Sequence, residues 1–250
     1  MPLVVGVDSS TQSTKVEARD LVTGEVVATG TAKHPPTSPP VSEQDPRAWW
    51  DALVTAVGQL GDHRDDVVAI SVAGQQHGLV LVDSDGVPVR PAKLWNDTTS
   101  APQAERLVLE LGTDQWASLT GSVPVAAFTI TKLAWVAEHE PESLARATRV
   151  MLPHDYLTWR LCGAHVTDRG DASGTGWFDP VTGDYHRHLI DLALGRPWPG
   201  ELPRVLAATE IAGNVGGAAL TALGLRGDVA VAAGSGDNMP HGLPWFSIAR

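Results

Sequence analysis

Two strand-length apolar runs, one near each end of the chain and each ending on a carboxylate, constrain this sequence most. Leu3 to Val7 is apolar until Asp8, and Val229 to Ala233 runs into Gly234-Ser235-Gly236-Asp237-Asn238. A third run, Val67 to Ala73, breaks at Gly74-Gln75-Gln76-His77-Gly78, after which Leu79 to Val82 resumes the apolar character up to a Ser84-Asp85-Gly86 turn. Continuous apolar runs of this length read as buried strands, and all fall far short of the roughly 20 residues a membrane helix needs. Polar and acidic groups therefore collect where strands end.

After Asp8 the chain resumes in alternation through Lys15 to Arg19, turns at Thr23-Gly24 and supplies a third strand over Glu25 to Thr31, which predicts an antiparallel meander. The proline-rich stretch from His34 to Pro46 reads as an extended loop, and Trp50, Leu53, Val54, Val57 and Leu60 then recur at helical spacing. From about Ala101 to Leu194 the apolar positions fall mostly on helical faces, and Asp179 to Asp184 reads as a surface turn between short strands. This mixture predicts an α/β or α+β fold. Pro240 to Arg250 holds Gly242 and Pro244 so close together that no helix can extend through it.

The 250 residues suffice for one large domain or two small ones. With 18 Lys and Arg against 29 Asp and Glu, the formal net charge of -11 offers no basic surface for nucleic acid or an anionic membrane. The single cysteine, Cys162, can form no internal disulfide, and the N-terminus meets Asp8 too early for a signal peptide, so the expectation is a cytoplasmic protein.

Asp8 and Asp237 stand at strand-to-loop junctions beside small or hydroxyl residues. Such loops bring backbone donors close to phosphate oxygens while a carboxylate serves as magnesium ligand or general base. Each aspartate also fits a plain turn. Gln76 and His77 concentrate amide and imidazole groups where a polyhydroxyl ligand can be read, and Trp95-Asn96-Asp97 sets an aromatic platform beside two polar groups. His186 and His188, with Asp184 and Asp191 nearby, match no standard zinc spacing and read as a surface hairpin. Cys162 reads as a small buried residue near a helix end.

Taken together, eight ordered segments resemble the FGGY carbohydrate kinases, and within them the xylulokinases. They are Gly6 to Lys15; Ser42 to Pro46 with Trp49-Trp50; Gly74 to Gly78; Leu94 to Asp97; Lys132 to Val136; Leu152 to Leu157; Thr167-Asp168 with Asp171 to Thr175; and Ala233 to Asn238. The resemblance implies a ribonuclease H-like domain of the actin and sugar-kinase type, with a mixed sheet and flanking helices. It covers residues 1–238, the sugar-binding half, and leaves 239–250 as a tail outside the pattern, with the second, ATP-binding domain absent. Ser10 stands where many members have glycine, and Ala127 departs from the helical signature that Thr129, Lys132 and Trp135 fit.

The resemblance further implies ATP-dependent phosphorylation of a ketopentose, D-xylulose to D-xylulose 5-phosphate, with magnesium. Asp237 matches the catalytic base, Asp8 the acid near magnesium and phosphates, and Thr11 and Lys15 the phosphate loop. Gln76 and His77 match the pair that contacts the ketose, with Trp95, Asn96 and Asp97 as further walls. Two other readings stand beside this one: a non-catalytic sugar-binding fragment, and an FGGY kinase for another polyol. The expected partner is a small-molecule sugar, with neither nucleic acid nor membrane, and a homodimer is possible through exposed apolar surface.

Overall fold

A computed structural model describes residues 1–237; Asn238 and the tail lie outside the described residues. The chain opens as the expected meander. β1 (Leu3–Ser9) pairs antiparallel with β2 (Ser13–Asp20), and β2 pairs with β3 (Val26–Lys33). β1 runs past the break anticipated at Asp8, because strict alternation buries Leu3, Val5 and Val7 on one face and leaves Asp8 on the more open one. A carboxylate on that face interrupts no packing, and the ladder continues with Asp8 opposite Lys15 and Ser9 opposite Thr14.

The proline-rich segment carries the two-residue β4 (Glu43–Gln44) and gives way to α1 (Pro46–Gly58). Asp45 accepts the Arg47 N–H as N-cap and Pro46 fills the first turn, the two devices that start a helix without orphaned donors. Trp49, Trp50, Leu53, Ala56 and Val57 form its buried face. A 3₁₀ turn leads into β5 (Val67–Gly74), which lies parallel to β1. Next come β6 (Val80–Val82), β7 (Ala92–Lys93), α2 (Ala101–Leu111), α3 (Thr113–Thr120), α4 (Thr129–His139) and α5 (Pro141–Arg146).

β8 (Arg149–Met151) pairs with β6 and is followed by α6 (Pro153–Cys162), β9 (Val166–Asp168), the short α7 (Arg169–Ala172) and α8 (Arg187–Leu194). The anticipated hairpin closes at Phe178 and Tyr185, so His186 and His188 lie at the start of α8 instead. β10 (Arg204–Leu206), β11 (Ile211–Asn214), α9 (Gly217–Leu223), β12 (Ala230–Ala232) and β13 (Ser235–Gly236) complete the described chain.

The principal sheet has the order β11-β12-β5-β1-β2-β3, and β13 takes up pairing with β5 where β12 leaves off. The handover occurs at Gly234, whose φ of +79° suits glycine and where a Cβ would stand 2.5 Å from the Val72 carbonyl. One core lies between this sheet and α1, α6 and α9, built on residues such as Leu3, Trp49, Leu53, Ile70, Tyr156 and Val231. A second core, around Leu107, Trp116, Ile130, Leu133, Trp177 and Ile190, binds α2, α4 and α8 into a helical lobe. Among the described residues, no helix is long and apolar enough to cross a membrane.

Candidate active site

The parallel strands β1, β5 and β13 end at one edge of the sheet, and that edge gathers the sequence-predicted residues. Asp8 is in register with Ala73, Ser235 is also in register with Ala73, and the Asp237 N–H donates to the Gly74 carbonyl at 2.7 Å. Gln76 lies against the next strand so closely that a Cβ on Gly236 would stand 2.6 Å from its Nε2. Asp8, Gln76 and Asp237 therefore share the carboxyl end of a parallel strand group, where open α/β sheets bind ligands.

Thr11 is held from three directions. Its carbonyl accepts Gln44 Nε2 at 3.0 Å, its hydroxyl accepts Trp95 Nε1 at 2.9 Å, and that hydroxyl faces Gln75 Oε1 at 3.4 Å. Trp95, half exposed, thus ties the wall predicted for the sugar pocket to the loop predicted for phosphate. Lys15 projects from β2 as the cross-strand neighbour of Asp8 and is exposed.

Asp97 is placed differently from Trp95. Its carboxylate is buried and accepts the Ser42 N–H at 2.9 Å, the Thr99 N–H at 3.0 Å and Lys93 Nζ at 3.2 Å. Burial alone would raise its pKa, but the Thr99 hydroxyl, the Ser42 N–H and the Lys93 charge outweigh that and hold it below the usual carboxylate range. Asp97 therefore fixes the turn that presents Trp95 and Asn96.

His77 occupies a turn with φ +60° and stacks on Phe128, ring centroids 5.3 Å apart and planes 9° from parallel. Its carbonyl accepts the Thr129 hydroxyl at 3.2 Å. Burial lowers its pKa, so the ring is neutral near pH 7.

Directly beneath these strand ends lies a cluster to which the sequence reading gave no role. His154, at the first turn of α6, is fully buried, with Nε2 3.2 Å from Asp155, 3.3 Å from Asp168 and 3.3 Å from Asp171. A Cβ on Gly74 would stand 2.9 Å from the His154 backbone, and one on Gly234 3.1 Å from its Nδ1. Burial disfavours the imidazolium, yet the charge of Asp155 and the contacts with Asp168 and Asp171 hold its pKa well above 6.5. Burial pushes Asp155 up to about 7 and raises Asp171, while the imidazolium and the N–H groups of Asp171 and Gly170 keep Asp168 low despite its burial. His154, Asp168 and Asp171 form the one metal-type donor set among the described residues. With its pKa raised in this way, His154 acts as a buried cation shared among the three carboxylates around it.

His186 Nε2 donates to the Leu119 carbonyl at 3.1 Å and Asp191 accepts the Trp198 N–H, so that pair serves the helical lobe. Cys162, half-buried at the end of α6, hydrogen-bonds the Thr158 carbonyl at 3.2 Å, and burial pushes its thiol pKa up.

The chain matches the FGGY family of carbohydrate kinases, N-terminal domain, over residues 3–242. It is 53% identical over 243 residues to a xylulose kinase of Streptomyces rubiginosus, covering 97% of this chain and 50% of that relative. Against the xylulose kinase of Escherichia coli the identity is 37%, over 94% of this chain and 48% of the relative. The crystal structure of a xylulose kinase from Bifidobacterium adolescentis superposes with a TM-score of 0.86 at 39% identity, covering 95% of this chain and 54% of that one. The mixed sheet and its flanking helices are thus the ribonuclease H-like fold of actin and the sugar kinases. The chain spans about half the length of the curated relatives it matches.

Proposed function

The chain belongs to the FGGY family of carbohydrate kinases, and we propose that it forms the sugar-binding half of a kinase that phosphorylates D-xylulose to D-xylulose 5-phosphate with ATP and magnesium. The observation that carries this reading is the convergence of Asp8, Gln76 and Asp237 on one edge of the parallel strands, with His77 on the adjoining turn. Asp237 acts as general base, taking the proton from the terminal hydroxyl as that oxygen attacks the γ-phosphate. Gln76 and His77 contact the ketose. Trp95 and Asn96 wall the pocket, and Asp97 holds their turn.

Asp8 suits a magnesium ion by its chemistry: it offers hard carboxylate oxygens from a rigid strand and, among the described residues, no hydrogen bond or ion pair engages them. Magnesium held there would offset charge on the phosphates. Thr11 and Lys15 flank the same corner, Thr11 already positioned through Trp95.

Phosphoryl transfer requires both substrates in one closed site, and so binding and turnover are separate questions for this chain. Calorimetric titration with D-xylulose and, separately, with ATP and magnesium, followed by a coupled assay for ADP release, answers both. D-xylulose uptake that Asp237→Ala retains, with any ADP release lost in that variant, is the expected pattern. Turnover that survives Asp237→Ala removes it as the base, and absence of sugar binding removes the pocket.

A further inference from the structure

His77 owes its position to two residues that have no role in the reading above. A Cβ built on Gly174 would lie 2.1 Å from His77 Cε1 and 2.2 Å from Nδ1, against 3.4 Å from Nε2. The Cε1–Nδ1 edge therefore rests in the space where any other residue carries its side chain, and even alanine would drive the ring away by more than 1 Å to restore ordinary contact at about 3.5–4.0 Å. Phe128 closes the ring's flat face by stacking at 5.3 Å.

Phe128 is itself anchored. Its carbonyl accepts Lys132 Nζ at 3.3 Å and the Thr131 hydroxyl at 2.9 Å, and Lys132 also grips the Ala126 and Ala127 carbonyls. The left-handed backbone of His77, the one non-glycine residue with positive φ among the described residues, is fastened by Thr129. Such a conformation persists where its surroundings over-determine it, and a site that binds is where over-determination is useful.

We propose that Phe128 and Gly174 are positioning residues of the sugar site: together they form a slot that admits the His77 imidazole in one orientation, with Nδ1 buried and Nε2 left to meet the ligand. The nitrogen of a clamped ring offers a fixed hydrogen-bond direction, and the ordering cost on binding is removed in advance. The inference rests on the reading that His77 contacts the ketose.

A double-mutant cycle tests it, with calorimetric affinity for D-xylulose as the readout. Gly174→Ala and Phe128→Leu, each in the wild-type and the His77→Ala background, are compared. With wild-type His77 each should weaken binding about tenfold, the loss expected when one hydrogen bond can no longer form. With His77→Ala each should change affinity less than about twofold, because the group that they position is gone. If Gly174→Ala fails to fold, Phe128→Leu carries the cycle alone. A wild-type chain that takes up no D-xylulose, or a His77→Ala variant that binds as well as wild type, overturns the reading of His77 and the slot with it. If His77→Ala weakens binding but the slot variants cost the same factor in both backgrounds, the reading of His77 stands and the slot is refuted.

Discussion

Replacing His154 by leucine keeps most of the side-chain volume but removes the only cation among Asp155, Asp168 and Asp171. All three carboxylates sit within 3.3 Å of its Nε2, and the imidazole is fully buried. Removing one partner from a buried charge set typically costs about 3–5 kcal/mol, because the remaining charges are left uncompensated. The loss should also depend on pH, with a sign that follows from the shifts. His154, raised above 6.5, contributes fully below that pH, and its contribution declines as pH climbs towards its higher folded pKa. Asp155, raised from 3.8 to about 7, likewise favours the fold only at low pH and loses that contribution across this interval. Asp168, held low chiefly by His154 against its burial, works in the opposite direction. Without the imidazolium all three carboxyls rise, and each extra proton kept by the folded variant costs about 1.4 kcal/mol per pH unit. The deficit should therefore be about 1–3 kcal/mol smaller at pH 4.5 than at pH 6.5. Urea unfolding followed by fluorescence of the buried Trp49, Trp116 and Trp177 measures it at both values. A deficit under about 1 kcal/mol, or one equal at the two pH values, would refute the shared-cation description.

Gly30→Ala should cost about 1–3 kcal/mol of stability in the same unfolding experiment, because its Cβ would meet the Ala56 carbonyl oxygen of α1 at 2.0 Å and force helix and β3 apart. Unchanged stability would mean the helix moves freely. Trp95→Phe should leave stability within about 0.5 kcal/mol, since Trp95 is half exposed, yet weaken D-xylulose binding between about two- and tenfold through loss of the 2.9 Å bond to Thr11. Equal affinity in the two proteins would detach Trp95 from the pocket.

What the sequence disclosed and what it hid divide along a physical line. The meander, α1 and β5 were legible because their signals are local: an apolar run in β1 followed by alternation in β2, apolar residues at helical spacing in α1, a continuous apolar run in β5. The convergence of Asp8, Gln76 and Asp237 was legible only through the motif, since it needs the parallel pairing of β1, β5 and β13 across most of the chain. The supporting residues were hidden because each has a sufficient local explanation. Asp168 accepts the Gly170 and Asp171 N–H groups and reads as the cap of α7. Asp155 reaches back to the Leu152 N–H and reads as a helix-start acid. Gly174 reads as a turn glycine, though its φ is not positive; what demands glycine there is the His77 ring. Asp97, grouped with Trp95 by proximity in the chain, is buried while Trp95 is half exposed, because its carboxylate accepts the Ser42 and Thr99 N–H groups and Lys93 Nζ. A residue that serves a local cap and a distant partner together leaves only the first trace in a sequence. Its second role emerges as coupling, which is why the His77 cycle and the pH dependence of the His154 deficit probe these groups more sharply than stability at a single pH.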